Sequence, residues 1–240
     1  MKQRQSLLQI LSRTLHSQRL NLRTGDVVCV PSKVVSAAEG RIKFLDRQHV
    51  SHMARAYGDR FRINPTLTQV VVDEADEILG GVNGFLLTIK FGILTANAGV
   101  DVKNSLPGTA TLWPVNPDLS AKLLRRSLET KYGARIGVSI VDSRVSPLRL
   151  GTTGLSIGSS GFETIKDDRG KTDLYGRTVK VTQTNVADDL AASAHLLMGE
   201  TDEQVGLVII RNAPISMRAN ASSRVKIAAR KCLICSSLVQ

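Results

Sequence analysis

The apolar stretches of this chain are short. Its longest apolar runs, such as residues 207–210 and 85–89, are strand-length and fall far below the roughly 20 residues needed to span a bilayer. The core must therefore be assembled from many brief elements that meet in space. Strand-like runs occur grouped, as at 85–89 and 93–96, and also alternate with helical stretches, as where 118–132 leads into 135–141. That mixture argues for an α+β fold with mixed sheets and flanking helices over a regular doubly wound sheet. With 240 residues and 42% hydrophobic content, the chain is expected to fold as one domain over residues 1–240, arranged as two lobes.

Local signals mark the expected elements. Leu7, Leu8, Ile10, Leu11, Leu15 and Leu20 have helical spacing, which predicts a surface helix over 3–20; without a continuous apolar core or cleavage site this is no signal peptide. Arg23-Thr24-Gly25-Asp26 turns the chain into a strand over 27–30. Asn64-Pro65-Thr66 opens a helix whose Leu67, Val70, Val71, Ala75, Ile78 and Leu79 share a face and which Gly80-Gly81 ends. A helix starting at Asp118 or Ser120 stops at Gly133 and leads into a buried strand over 135–141. Residues 149–161 read as a β-like segment broken by glycine and serine, 178–184 as a half-buried strand, and 188–198 as the best helix of the chain. A short strand over 207–211 and a basic helix over 222–233 complete the pattern.

Cysteine usage and charge limit the function classes. Cys29, Cys232 and Cys235 cannot all pair within one chain, so a reducing, cytoplasmic compartment fits better than a disulfide framework. Cys232 and Cys235 form a lone C-x-x-C, read as two helix residues in preference to a zinc half-site. The net charge of +11 is uneven: residues 1–62 carry +8, 63–210 carry −3 and 211–240 carry +6. Nine aromatic residues offer few stacking platforms, so nucleic acid is a weak expectation and a basic rim steering acidic small molecules explains the charge as well.

Chemistry is sought in the acidic middle. Asp101, in the loop Asn97-Ala98-Gly99-Val100-Asp101-Val102-Lys103-Asn104, and Asp142, in Val141-Asp142-Ser143, each follow a predicted strand. A carboxylate at a strand end is well placed for a hard cation, which leaves room for water and phosphate oxygens. Two such aspartates brought together would repel by about 4 kcal/mol at about 4 Å and an effective dielectric of about 20, so a cation would be needed to keep both ionised. The plainer alternative is that each turns its loop. Residues 156–161, Ser-Ile-Gly-Ser-Ser-Gly, offer a phosphate-binding loop or, preferred, a tight turn. Residues 166–173 read as a solvated loop. His16, His49, His52 and His195 have no triad context and no serine sits in G-x-S-x-G, which disfavours serine hydrolase chemistry.

Taken in order, the segments resemble the coenzyme F420-0:γ-glutamyl ligase family. They are Gly25-Asp26-Val27-Val28; residues 32–41, Ser-Lys-Val-Val-Ser-Ala-Ala-Glu-Gly-Arg; Asn97 to Asp101 with Asn104; Val141-Asp142-Ser143; Arg149 with Gly151; and Ile157-Gly158. Asp168-Arg169-Gly170, Asp173-Leu174-Tyr175-Gly176-Arg177, Ala187-Asp188-Asp189-Leu190-Ala191 and Leu197-Met198-Gly199-Glu200 complete the series, which covers roughly residues 20–212.

The resemblance implies an unusual α+β fold that forms intertwined homodimers. It implies a ligase that joins L-glutamate to a deazaflavin coenzyme precursor at the expense of GTP, through an acyl phosphate, with Mg2+ or Mn2+. Asp101 and Asp142 would hold metal, with Ser143 where the family usually has a metal-binding Thr and Glu200 in the nucleotide and metal loop. Ser32, Lys33, Asn104, Gly199 and Glu203 would contact nucleotide, and Arg149 and Arg169 the acidic coenzyme tail. Ala37 stands where the family commonly has a lysine, and residues 144–148, Arg-Val-Ser-Pro-Leu, replace the usual x-G-R-P-W. The sequence starts in its first helix, so the family's opening strand and glycine loop are expected to be missing, as is a C-terminal flavin domain. A diverged amide ligase, or a nucleic-acid- or partner-binding protein on the same fold, is the rival expectation.

Overall fold

The computed structural model describes residues 6–219 and 225–237. In chain order the elements are α1 (Leu7–Ser17), β1 (Val27–Pro31), α2 (Ser32–Glu39), β2 (Ile42–Phe44), α3 (His52–Phe61), α4 (Pro65–Glu74), β3 (Glu77–Val82), β4 (Phe85–Lys90) and β5 (Ile93–Ala96). They continue with β6 (Thr109–Thr111), α5 (Pro117–Tyr132), β7 (Gly137–Val145), β8 (Thr152–Phe162), β9 (Ile165–Asp167), β10 (Gln183–Asn185), α6 (Val186–Met198), β11 (Val208–Ile210) and β12 (Met217–Arg218). The architecture is α+β. A five-stranded mixed sheet, ordered β11-β1-β7-β8-β12, is accompanied by a three-stranded sheet β3-β4-β5 and the pairs β2-β6 and β9-β10. Among the described residues no helix is long and apolar enough to cross a membrane.

Strand alternation decides which face each residue covers. In β1, which pairs parallel with β7, Val28 and Val30 face a core shared with Leu11 and Leu15 of α1 and Leu124 and Leu128 of α5. Val27 and Cys29 face the opposite core, with Leu190, Ala191 and Ala194 of α6. The large sheet is thus covered on both sides, which is why β1 reads as an unbroken apolar run. A further core gathers Phe61, Val70, Val71, Leu86 and Leu112 from α3, α4, β4 and the end of β6.

Capping fixes the helix ends. Ser6 accepts from the Gln9 N–H while the Gln9 side chain accepts from the Ser6 N–H at the start of α1, a reciprocal cap. Asn116 caps α5 and Gly133 closes it in the left-handed conformation. Residues 225–237, where a basic helix is expected, are irregular with two 3-10 turns, and residues 222–224 lie outside the described residues. Cys232 and Cys235 therefore sit in turns, not a helix, and both are free thiols, as is Cys29.

Three further expectations are corrected. The helix from Asn64 ends at Glu74, and Ile78 to Gly81 belong to β3. Their backbone groups are claimed by β4, from Glu77 opposite Ile89 to Val82 opposite Phe85, and the Lys90 ammonium holds the Glu74 carbonyl at 2.7 Å just where the helix stops. Of 178–184 only Gln183 and Thr184 enter a strand, and Thr178 makes an isolated bridge to Thr172.

The Ser156–Gly161 run is neither a phosphate loop nor a turn but part of β8, inside the large sheet. A bulge at Ile157 offsets its pairing, with Val141 opposite Ser156 and Ile140 opposite Gly158, so its glycines serve both faces. A Cβ on Gly154 would stand 2.3 Å from the Ala191 carbonyl oxygen of α6, and one on Gly158 would stand 2.4 Å from the Pro117 carbonyl carbon of α5. Glycine here lets two helices approach the strand backbone.

Candidate functional site

The parallel pair β1 and β7 ends with Pro31 opposite Val141, so the next residues, Ser32 and Asp142, emerge side by side. Such carboxyl ends of parallel strands are habitual ligand sites. Here a pocket of about 290 Å³ opens, lined by Ser32, Lys33, Asp101, Asn104, Asp142, Ser143, Gly199, Glu200 and Glu203. The candidate site residues named from the sequence are therefore gathered in one place except the two arginines: Arg149 lies exposed on the β7–β8 turn. Arg169 is also elsewhere, pairing with Asp167 through its Nε at 2.8 Å. A wider groove of about 560 Å³ between α1 and the end of α5 is lined by Arg13, His16, Lys131 and Tyr132 and holds no carboxylate.

Asp142 lies at the heart of the pocket. Its Oδ1 accepts the Ser143 N–H at 2.9 Å, and its Oδ2 accepts the indole N–H of Trp113. Burial pushes its carboxyl up most strongly; Trp113, Ser143 and the Ser32 hydroxyl oppose that and the charge of Asp101 adds to it, leaving a pKa of about 6. The carboxylate is thus desolvated and stabilised by neutral donors, the state in which an added positive charge gains most.

Trp113 reaches Asp142 because two quoted motifs cooperate. Gly99, at φ 71°, lies under the indole, where a Cβ would stand 2.3 Å from the ring. Arg41, released from α2 by the left-handed Gly40, holds the Trp113 carbonyl through its Nε at 2.9 Å and Glu74 through its Nη2 at 2.7 Å. Glycine and arginine of these motifs act by positioning the tryptophan. Ala37 lies on the exposed side of α2, outside the pocket lining.

Asp101 leaves a bridge with Thr111, their N–H and carbonyl groups exchanging bonds at 2.9 and 2.8 Å. Its Oδ2 takes the Lys33 ammonium at 2.7 Å and its Oδ1 the Lys103 N–H at 2.7 Å. Across the pocket, Glu200 follows the C-cap Gly199, whose φ of 71° brings the chain so close to Glu203 that a Cβ would meet that carboxylate at 2.0 Å. Glu200 Oε1 contacts His195 Nε2 at 2.7 Å and the Thr152 hydroxyl at 3.0 Å, while Oε2 takes the Lys103 ammonium at 2.8 Å. Partial burial raises the Glu200 pKa, but Lys103, His195 and Thr152 together outweigh it and hold the group at about 2.

Lys103, His195, Thr152 and Trp113 were not found by pattern. His195 lacks a triad but is not isolated, and its only sequence signal was its place one turn before Gly199-Glu200. Trp113 is the single tryptophan of the chain.

The oxygen-rich donor set of Asp101, Asp142, Glu200 and the Ser143 hydroxyl suits a hard divalent ion. Among the described residues no group of three or more His, Cys, Asp and Glu side chains is gathered so as to hold a metal. Mg2+ needs only one or two protein carboxylates and completes its shell with water and phosphate oxygens, so the residues fit an ion shared with a phosphate ligand, not a closed protein cage.

The family described as F420-0:gamma-glutamyl ligase matches residues 1–212. The chain belongs to that family. It is 38% identical over 223 residues to the coenzyme F420:L-glutamate ligase of Archaeoglobus fulgidus, covering 91% of this chain and 90% of that protein. It is also 39% identical over 198 residues to the protein of the same name from Methanopyrus kandleri, covering 82% and 79% of the two chains. The same name belongs to the Methanocaldococcus jannaschii relative, 38% identical over 195 residues, 81% of this chain and 78% of that one. In this member of the ligase family, the pocket at the ends of β1 and β7 gathers carboxylates and lysines from separate motifs.

Proposed function

We propose that this chain is a ligase that joins L-glutamate through an amide bond to coenzyme F420-0, using GTP and Mg2+ or Mn2+. The observation that carries the reading is the convergence of Asp101, Asp142 and Glu200 with Ser32, Lys33 and Asn104 on one pocket, in a chain of this family. A carboxylate is inert toward an amine until one oxygen becomes a leaving group. In the proposed reaction an oxygen of the precursor's terminal carboxylate attacks the γ-phosphorus of GTP, and GDP leaves. The amine of glutamate then attacks the acyl carbon, and inorganic phosphate leaves with the electron pair of the C–O bond.

The residues of the chain supply position and charge. Lys33 and Lys103 line the pocket with ammonium groups that attract the phosphates and the precursor's acidic tail. Ser32 and Asn104 offer neutral donors to the nucleotide. One or two of the Asp101, Asp142 and Glu200 carboxylates, with the Ser143 hydroxyl, would hold the metal, which would supply charge neutralisation on the phosphate oxygens. Arg149, outside the pocket, is given no role within it.

An intertwined, two-lobed homodimer belongs to the same reading. Leu148 and Leu150 on the β7–β8 turn and Leu174, Tyr175 and Val181 in the 168–182 loop are almost fully exposed, and apolar tips of this kind call for a partner surface. Light scattering should give a dimer for the parent and a monomer for Leu148→Ser with Leu150→Ser; a monomeric parent would remove the dimer from the proposal.

The ligase reading is tested by GTP turnover with Mg2+ or Mn2+, with and without coenzyme F420-0 and L-glutamate, following coupled product by mass. Product that disappears in Asp142→Asn supports it, and folded protein that forms none overturns it. The altered turn at 144–148, with Leu148 fully exposed, favours as a second reading a ligase with a different acid or amine. Turnover of GTP with another carboxylate but not with coenzyme F420-0 would select that one.

A further inference from the structure

Two lysines of the pocket differ in what they hold. Lys33 pairs with Asp101 from the same side of the pocket, whereas Lys103 spans it. Its backbone N–H holds Asp101 Oδ1 at 2.7 Å while its ammonium holds Glu200 Oε2 at 2.8 Å. Its neighbour Asn104 adds a bond from Nδ2 to the Thr201 carbonyl at 2.5 Å, so loop 101–104 is tied to loop 199–203. The Lys103 side chain is 53% exposed and that of Glu200 34%, and an ion pair this open adds little to stability. Its effect is electrostatic. The Lys103 ammonium meets Glu200 while the Lys103 N–H meets Asp101, so one residue answers to a carboxylate on each side of the pocket. Thr152 gives Glu200 a neutral donor and His195 Nε2 a ring nitrogen; Lys103 is the permanent cation on it.

We propose that Lys103 is a resident counter-ion that competes with divalent metal for Glu200 and thereby sets the metal affinity of the pocket. The inference rests on the metal-dependent reading given above and goes beyond it by assigning a residue that weakens metal binding. An ion approaching Glu200 Oε2 must displace the ammonium, and the released lysine then stands beside the phosphate-bearing ligand that arrives with the metal. Lys103 is in this sense a positioning residue for Glu200, and its effect is read in binding without turnover.

The test is Mn2+ binding to the nucleotide-free full chain, followed by the electron paramagnetic resonance signal of free Mn2+. Lys103→Met should bind Mn2+ about tenfold more tightly than the parent, with the gain shrinking as salt is added. Lys103→Arg should stay near the parent, and the gain should vanish when Lys103→Met is combined with Glu200→Gln. Equal or weaker Mn2+ binding by Lys103→Met, or a gain that survives Glu200→Gln, overturns the inference while leaving the ligase reading intact. Absence of Mn2+ binding to both parent and Lys103→Met, with GTP present as well, overturns the metal-dependent reading and the competition with it.

Discussion

The two ends of β1 handle buried negative charge in opposite ways. Before the strand, Asp26 is 1% exposed and fully answered: Arg211 grips it with Nε and Nη2, each at 2.8 Å, and the Arg23 N–H adds a third bond at 2.8 Å. Burial pushes its carboxyl up, but the Arg211 fork, the Arg23 N–H and both positive charges outweigh it, and the pKa falls below its usual 3.8. Beyond the strand, Asp142 lines the pocket partly buried and meets desolvation with neutral donors and a neighbouring negative charge, and its pKa rises to about 6. The first carboxylate ties β1 to the segment after β11 and stabilises the sheet. The second is held ionisable at a cost, which is what a site awaiting a cation requires.

That contrast is broken most severely at Asp142. Asp142→Asn should lower glutamate-coupled product formation by about a thousandfold, the scale of losing one main electrostatic contact to a transferring group, measured by mass of product at saturating GTP. Loss of less than tenfold would remove Asp142 from the chemistry. Asp26→Ala should do the reverse. Losing the buried carboxylate, with its bonds to Arg211 and the Arg23 N–H, should cost about 1.5–3 kcal/mol, the scale of hydrogen bonds to a charged group, read by urea unfolding, while activity per folded molecule is kept.

Asp26 also has a pH signature. Its depressed pKa contributes stability that is present above 3.8 and is lost as pH falls through the lower folded value. The stability difference between parent and Asp26→Ala should therefore narrow below pH 3.8 and be flat near neutrality.

Asp142 predicts the opposite slope. With a folded pKa of about 6 against 3.8 unfolded, its protonated form is favoured by folding, so the contribution is present below 3.8 and lost as pH rises through about 6. Metal-free Asp142→Asn should then be more stable than the parent above pH 6 by about 1–3 kcal/mol, with the gap closing below pH 4. Saturating Mn2+ should close the gap at high pH as well, by binding the parent's carboxylate. A gap independent of pH would show that Asp142 is not the desolvated group described here.

Much of this contrast was legible in the sequence, but not for both ends alike. Asp142 and Asp101 stood out because a carboxylate just after an apolar run is a local pattern. Helices α5 and α6 and strands β1, β4, β5 and β7 were legible for the same reason, through caps, stops and runs a few residues long. Where the deciding partner was distant the reading failed. Ile78 and Leu79 fit the helical stripe of α4, yet pairing with β4 takes them. Gly154 and Gly158 look like breakers, yet they are there for the backbones of α6 and α5. Glu200 and Glu203 came only through resemblance; the partners of Glu200, Lys103 and Thr152, are supplied by separate segments.

Trp113 offers the finest test of the comparison, because it alters what Asp142 feels without touching the carboxylate. Trp113→Phe keeps most of the apolar bulk beside Gly99 and removes only the indole donor to Asp142. Losing one donor to a buried charged group costs about 1.5–3 kcal/mol for the ionised form and nothing for the protonated form that accepts less. The Asp142 pKa should consequently climb above 6, and Mn2+ binding should weaken about tenfold near pH 6.5 but recover by pH 8.5, where the carboxylate is again ionised. Asp26 shares none of these contacts, so the pH dependence of stability below pH 4 should follow the parent, whatever constant loss the smaller ring causes. A loss of Mn2+ affinity that is equal at both pH values would mean that Trp113 shapes the pocket by packing alone, and the unequal treatment of the two carboxylates would then rest on burial and on Asp101, not on the indole.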